Sequence, residues 1–324
     1  MRFYFRSYNH CIIVFIFLLT AIFSTLDAET LQPKELLNLK SVTSAVISPN
    51  GRYAAYTVRI PRTADDDPGG SYSELYVIDL KTKESRPYIT GKENVSSIAW
   101  SPDGNEIAFR MKRGEKTKTQ VWSMPLIGGE ARQLTDSPSG VLAFTWHPSG
   151  KRIAYIATRP QTKREKALKD KGYDFIYFEE EWKQRNLYMT DILAGQPNPD
   201  AVQLTSGITV WSLKFSNDGS KIALGASEKN LIDYRYMFQH VYVLDSQTKE
   251  IHQLTHNPGK LGNFTFSPDS KKLAYTASLS VSDHAVSQVY VMPADGGKAV
   301  NFTIEDFRGH VEWVNWKDNN TIIY

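Results

Sequence analysis

The sequence has very little cysteine: one residue in 324, Cys11, which lies in an apolar N-terminal segment. A chain cleaved after that segment would have no disulfide, no thiolate metal site and no cysteine nucleophile. An excess of charge of one sign is lacking too, with 38 Lys and Arg against 35 Asp and Glu. Because nucleic-acid binding needs a concentrated basic surface, we expect no nucleic-acid partner.

Long hydrophobic runs are also scarce, and the clearest one extends from Cys11 to Phe23. Arg2 and Arg6 precede it, and Ala28 follows at a position suited to signal-peptidase cleavage, so residues 1–28 are predicted to be a signal peptide. The run is shorter than the roughly 20 residues of a membrane-spanning helix, so no stable membrane insertion is expected. We therefore predict a secreted or periplasmic protein, with an uncleaved N-terminal anchor as the alternative.

A repeated phrase organises the chain after residue 40. Its fullest form is aromatic-Ser-Pro-Asp-Gly followed by a short apolar strand, at 100–109, with variant copies at 47–56, 146–155, 215–224, 266–275 and, in decayed form, 316–324. The spacing of about 50 residues indicates a repeat protein. Trp100, Trp146, Phe215, Phe266 and Trp316 share one position in the phrase, so we expect them to pack between repeats rather than bind ligands.

Each repeat carries further strand signals between two copies of the phrase. A second apolar alternation follows, as in 121–124 and 241–245, and then a short closing segment such as Gln133-Leu134-Thr135 or Gln253-Leu254-Thr255. Four strands per repeat is the blade of a β-propeller, and the aromatic share of 12% suits an all-β protein. The prediction is an all-β propeller over 29–324, with five complete four-stranded blades and part of a sixth, apparently truncated.

These repeats resemble the propellers of TolB-like proteins and, more closely, the N-terminal propeller of prolyl oligopeptidase family (S9) serine peptidases. Within that family the opening, Leu31 to Val42 leading directly into Ser48-Pro49-Asn50-Gly51, is similar to the dipeptidyl aminopeptidase and acylaminoacyl peptidase branch. The resemblance implies a propeller that gates access to a C-terminal α/β-hydrolase domain. It also implies peptide substrates and no cofactor.

The family's serine lies on a Gly-x-Ser-x-Gly turn, and this pentapeptide is absent from the sequence. No catalytic residue is therefore predicted in this chain, and the peptidase prediction refers to a longer parent protein. The resemblance implies that the exported parent hydrolyses peptide bonds near peptide amino termini. A TolB-like binding module without catalysis, directed at protein partners, is the alternative.

The third repeat contains an insertion, roughly Arg159 to Lys183, and the candidate substrate-binding residues lie in it. Dipeptidyl peptidases of the family hold the substrate's α-ammonium with a pair of propeller glutamates, and a partly desolvated ammonium needs such carboxylates. Glu179, Glu180 and Glu181 form the acidic cluster in a suitable position. The alternative is that they are solvated residues at the end of the insertion.

Three other groups of charged or histidine residues do not have the pattern of a binding or metal site. The charges of 163–171 have helical spacing and predict an exposed helix or loop. The acidic stretch 65–67 lacks the ligand spacing of a calcium loop, and His252 and His256 are not brought to one face by a strand end and turn. No metal site is predicted.

Overall fold

The structure is a computed structural model that describes residues 32–114, 117–173, 175, 182–303, 307 and 309–324. The predicted signal peptide, 1–28, lies outside these ranges and stays a prediction. The described chain begins with a short helix, α1 (Pro33–Leu37), in which the Gln32 N–H donates to the Glu35 carboxylate at 2.7 Å. None of the helices that the structure describes is long and apolar enough to cross a bilayer.

After α1 the chain folds into antiparallel sheets of four strands each, and within every sheet the strands follow chain order. The first two blades consist of β1 (Ser41–Ile47), β2 (Tyr53–Ile60), β3 (Tyr72–Asp79) and β4 (Ser85–Ile89), then β5 (Ser96–Trp100), β6 (Glu106–Met111), β7 (Gln120–Pro125) and β8 (Arg132–Gln133). The third contains β9 (Ala143–Trp146), β10 (Arg152–Thr158), α2 (Lys163–Asp170), β11 (Arg185–Asp191) and β12 (Val202–Gln203).

The fourth blade contains β13 (Thr209–Phe215), β14 (Lys221–Ser227), α3 (Ile232–Tyr236), β15 (His240–Asp245) and β16 (Ile251–Gln253). The fifth contains β17 (Leu261–Phe266), β18 (Lys272–Ser278), β19 (Ser287–Pro293) and β20 (Val300–Asn301), and the two-stranded sheet of β21 (Asn315–Asp318) and β22 (Thr321–Ile323) follows. The predicted fold, five four-stranded blades and part of a sixth, is confirmed.

The repeated Ser-Pro-Asp-Gly phrase forms the turn between the first and second strands of a blade. In blade 2 the Ser101 hydroxyl donates to the Asp103 carboxylate at 2.6 Å and accepts the Glu106 N–H at 2.9 Å. Gly104 has a φ of 73°, a conformation that glycine adopts without steric cost. In this copy the serine, the aspartate and the glycine of the phrase together close the tight turn.

The blades pack radially, with an apolar cluster between each pair of neighbours. Buried side chains of blades 1 and 2 form one cluster, and blades 2 and 3, 3 and 4, and 4 and 5 form the next ones. The first strand of each blade contacts the first strand of the next, which places the first strands on the inner side around the axis. Trp100, Trp146 and Phe266 are buried in these interfaces, as their shared repeat position predicts.

The antiparallel order gives the propeller two different ends. The end with the first-to-second and third-to-fourth strand connections is called the turn end. The other end carries the connections between second and third strands and between blades, and it is called the loop end. The 159–184 and 228–239 connections, the latter containing α3, therefore lie at the same end, over blades 3 and 4.

Candidate functional site

The insertion of blade 3 is the longest connection at the loop end. It leaves β10 after Thr158, forms the exposed helix α2 and returns at Arg185, which agrees with the predicted insertion and exposed helix. Thr162 caps α2, since its hydroxyl accepts the Glu165 N–H at 3.1 Å. Hydrogen bonds from Arg159 and from the Thr162 backbone lower the pKa of Glu165 to about 2, so this carboxylate is ionised at neutral pH.

The predicted substrate-binding residues Glu179, Glu180 and Glu181 lie outside the described residues. The chain is described again from Trp182, the residue that follows them. Trp182 is half-buried, and the Lys229 ammonium lies 4.9 Å from the centre of its ring. The Asn230 side chain donates to the carbonyl of Lys183 at 2.7 Å. The end of the insertion is thus attached to the 228–239 connection of blade 4.

Two arginines and a tryptophan from different elements meet beside this attachment. The Arg185 guanidinium, at the start of β11, lies 4.4 Å from the ring centre of Trp211, and that of Arg235, on α3, lies 5.7 Å from it. Cations at this range from an indole face are attracted by its quadrupole. We call Arg185, Trp211 and Arg235 the arginine–tryptophan cluster.

Local backbone geometry places Trp211 in the cluster. The register of β13 with β14 shifts between Val210 and Ser212, so Trp211 occupies a bulge on the innermost strand, near its loop end. A bulge re-aims its side chain, and the Trp211 N–H then donates to the Ser227 hydroxyl at 2.8 Å. Arg185 lies on the same face of β11 as Leu187 and Met189, which pack against blade 4. Its position on that face directs it toward Trp211.

The cluster is positively charged without internal compensation. Among the residues that the structure describes, no carboxylate lies within ion-pair distance of Arg185 or Arg235. Burial, and then the positive charge of Arg235, lower the pKa of the half-buried Arg185 guanidinium, which remains charged at neutral pH. A planar guanidinium stacked on an indole keeps its in-plane N–H donors free, which suits a carboxylate.

Sequence reasoning missed this cluster. Arg185 stands near the predicted glutamates, but nothing in the repeat marks Trp211 as the residue of a bulge, and Arg235 belongs to a different blade.

The acidic stretch of 65–67 forms a polar loop, in which Asp66 pairs with Lys92 at 2.7 Å and accepts the Thr63 N–H at 2.8 Å. In the described part of the chain, no three His, Asp or Glu side chains are grouped as a metal site.

Comparison with known proteins places this fold among bacterial and archaeal propellers. The chain is a β-propeller that resembles those of prolyl oligopeptidase-type peptidases and TolB, which confirms the resemblance inferred from its repeats. No protein-family model matches it.

Two curated relatives carry the sequence similarity. The uncharacterized peptidase YuxL of Bacillus subtilis is 28% identical over 264 residues, which cover 80% of this chain and 33% of the relative. Dipeptidyl-peptidase 5 of Porphyromonas gingivalis is 25% identical over 93% of this chain and 46% of the relative. The chain therefore spans about a third to a half of the length of these relatives.

Solved structures share the fold at lower sequence identity. An acylaminoacyl peptidase superposes with a TM-score of 0.62 at 14% identity, over 87% of this chain and 42% of that one. The β-propeller domain of the Trilobed protease from Pyrococcus furiosus gives 0.58 at 14% identity, over 87% and 76%. A putative TolB from Agrobacterium tumefaciens gives 0.54 at 19% identity, over 81% and 80%. These likenesses establish the propeller fold.

Proposed function

We propose that the chain is the substrate-gating propeller of an exported serine exopeptidase that hydrolyses peptide bonds near peptide amino termini. The observation that carries the proposal is the similarity to a dipeptidyl-peptidase along 93% of the chain. In the proposed protein, residues 1–28 are a cleaved signal peptide and 29–324 the propeller. A C-terminal α/β-hydrolase domain supplies the catalytic serine, aspartate and histidine, and peptides are the substrates.

The proposal assigns the loop end a role in substrate binding. Glu179, Glu180 and Glu181 hold the peptide's α-ammonium, because paired carboxylates compensate a partly desolvated ammonium. Support comes from their place in the chain, directly before Trp182, with three residues between Glu181 and the start of β11. Trp182, the next residue in the chain, contacts Lys229 at the loop end.

The first experiment tests the full-length protein for peptidase activity on dipeptidyl and acylated fluorogenic substrates. Hydrolysis that a serine-directed sulfonyl fluoride abolishes is the expected result. No hydrolysis of either substrate by well-folded protein would contradict the proposal. It would favour the second candidate, a non-catalytic binding module, which the match to most of a putative TolB chain supports.

The second experiment tests the glutamates. Glu179→Gln, Glu180→Gln and Glu181→Gln are made singly, and kcat/KM is measured on a free-amino dipeptidyl substrate and on its N-acylated counterpart. At least one variant should lose about tenfold or more on the free-amino substrate only, since the acylated one has no ammonium to bind. Glu250→Gln, an exposed glutamate at the turn end, is the control. Equal losses on both substrates would argue against the ammonium contact.

A further inference from the structure

The distribution of charge over the loop end is uneven. At the loop ends of blades 1 and 5, cations are paired: Lys92 with Asp66 at 2.7 Å and Lys260 with Asp283 at 2.6 Å. The third such pair, Arg159 with Glu165, belongs to the capping of α2. At the loop end of blades 2 to 4, three arginines have no acidic partner among the described residues: Arg110, Arg185 and Arg235.

Arg110 is the first of these arginines. It occupies the loop end of β6, opposite Val121, a residue of the apolar cluster between blades 2 and 3. Burial lowers the pKa of its guanidinium, and its Nε is buried without a hydrogen-bond partner among the described residues. Arg185 and Arg235 follow at the next interface, between blades 3 and 4.

At the turn end, several basic side chains have acidic partners. Arg52 pairs with Asp79 at 3.1 Å and Arg132 with Glu106 at 2.8 Å. Lys221 is 3.1 Å from Asp295 of the next blade. Arg110, Arg185 and Arg235, at the loop end of blades 2 to 4, therefore have no acidic partner among the described residues.

We propose that Arg185 and Arg235, whose guanidinium groups lie over Trp211, bind a carboxylate of a peptide ligand. A guanidinium held over an aromatic ring keeps its in-plane N–H donors available for a carboxylate's two oxygens. Arg185 is half-buried and so offers its charge in partly desolvated surroundings, where a charged hydrogen bond is stronger than in water. The peptide character of the ligand rests on the proposed function, whereas its carboxylate chemistry rests on the cluster alone.

The test measures binding to the full-length protein by calorimetry, after treatment with a serine-directed sulfonyl fluoride so that the ligand is not cleaved. The probes are a glutamate-containing tetrapeptide amide, its glutamine counterpart as an amide, and that counterpart with a free C-terminal carboxylate. One or both carboxylate-bearing peptides should bind about tenfold tighter than the neutral amide. Which of them does so identifies the side chain or the C-terminus as the source of the carboxylate.

Variants connect this preference to the cluster. Arg185→Gln and Arg235→Gln should each abolish most of the preference for carboxylate-bearing peptides. Arg185→Lys should retain only part of this preference, since lysine keeps the charge but lacks the planar guanidinium group. Lys163→Gln, on the exposed helix α2, is the control and should keep the full preference. Arg235 is exposed, so its variant remains informative if changes at Arg185 disturb folding.

The inference is overturned if the three peptides bind equally, or if the preference survives in both the Arg185→Gln and the Arg235→Gln protein. The outcome is separable from that of the proposed function. A carboxylate preference in a protein that hydrolyses no peptide would sustain the site and refute the peptidase. Hydrolysis of peptides by a protein without a carboxylate preference would support the peptidase and refute the carboxylate site.

Discussion

At the scale of single residues, His147 stands in the repeated phrase where other blades have serine, as at Ser101 and Ser216. Its Nε2 lies 3.0 Å from the Arg152 guanidinium, and its Nδ1 accepts the Ser149 N–H at 3.1 Å and lies 2.8 Å from Ser149 Oγ. The ring also packs edge-on against Phe215 of blade 4 at 5.0 Å. A neutral imidazole thus links blades 3 and 4.

Burial, and then the charge of Arg152, lower the pKa of His147 from the ordinary value of 6.5. The unfolded chain therefore binds a proton more readily than the folded one. The free energy of unfolding should be at its full value above pH 6.5 and fall as the pH drops below 6.5 toward the lower folded pKa. Urea unfolding of the protein from pH 7.5 to 5.5 measures this decline.

His147→Ser, which restores the residue of the other repeats, should flatten the decline over that pH range. His252→Ser changes an exposed histidine on β16 and should leave the decline as it is in the unmodified protein. If the His147→Ser protein loses stability with pH as steeply as the parent, another group is responsible.

The binding roles of single residues were harder to predict from the sequence than their packing. The burial of Trp100 and Trp146 followed from their repeat position, because a shared position in every blade means a shared environment. Arg185, Trp211 and Arg235 share no such position. They come together through an insertion and a short helix that occur once each among the described residues, and through a tryptophan at a bulge whose counterparts in blades 1, 2 and 5 carry other residues. A repeat pattern carries no information about side chains that do not repeat.

At the scale of elements, blades 2 to 5 each end in a short strand that a threonine completes. Thr135, Thr205, Thr255 and Thr303 accept an N–H from the second or third residue of the third strand of their own blade, at 2.8 to 2.9 Å. The Gln-Leu-Thr segments of the sequence predicted the positions of these closing strands correctly. The strands nevertheless end at the glutamine, as at Gln133 and Gln253, because the threonine side chain replaces the backbone in the next hydrogen bond.

Replacing Thr255 tests this role. Its hydroxyl is buried, accepts the Val241 N–H at 2.8 Å and donates to Asn257 Oδ1 at 2.9 Å. Thr255→Val keeps the shape but leaves that N–H unsatisfied, so the free energy of unfolding should fall by about 1–3 kcal/mol. Urea denaturation measures it. Thr248→Val, at an exposed turn, should change it by less than about 0.5 kcal/mol, and equal effects of the two would contradict this role for Thr255.

At the scale of the whole molecule, the propeller depends on contacts between consecutive blades. The repeat period and four strand signals per repeat were enough to predict this architecture, because one sheet cannot bury its own faces. Hydrogen bonds between blades were not predictable. Trp100 Nε1 donates to the Val46 carbonyl of blade 1 at 2.8 Å, and Trp316 Nε1 donates to Thr265 of blade 5 at 3.2 Å. Trp146 occupies the same position, yet its Nε1 has no partner among the described residues.

Trp100 and Trp146 occupy equivalent positions but differ in this hydrogen bond, so substitutions at the two positions can be compared directly. Trp100 and Trp146 are equally exposed, at 7%, and each packs in the apolar cluster with the preceding blade. Phenylalanine removes the same volume from both sites, but only Trp100→Phe breaks a bond between blades and leaves a carbonyl without its donor. Trp100→Phe should therefore lower the free energy of unfolding by about 1 kcal/mol more than Trp146→Phe. Urea denaturation of both variants measures the difference, and an equal or larger loss for Trp146→Phe would mean that packing alone holds neighbouring blades together.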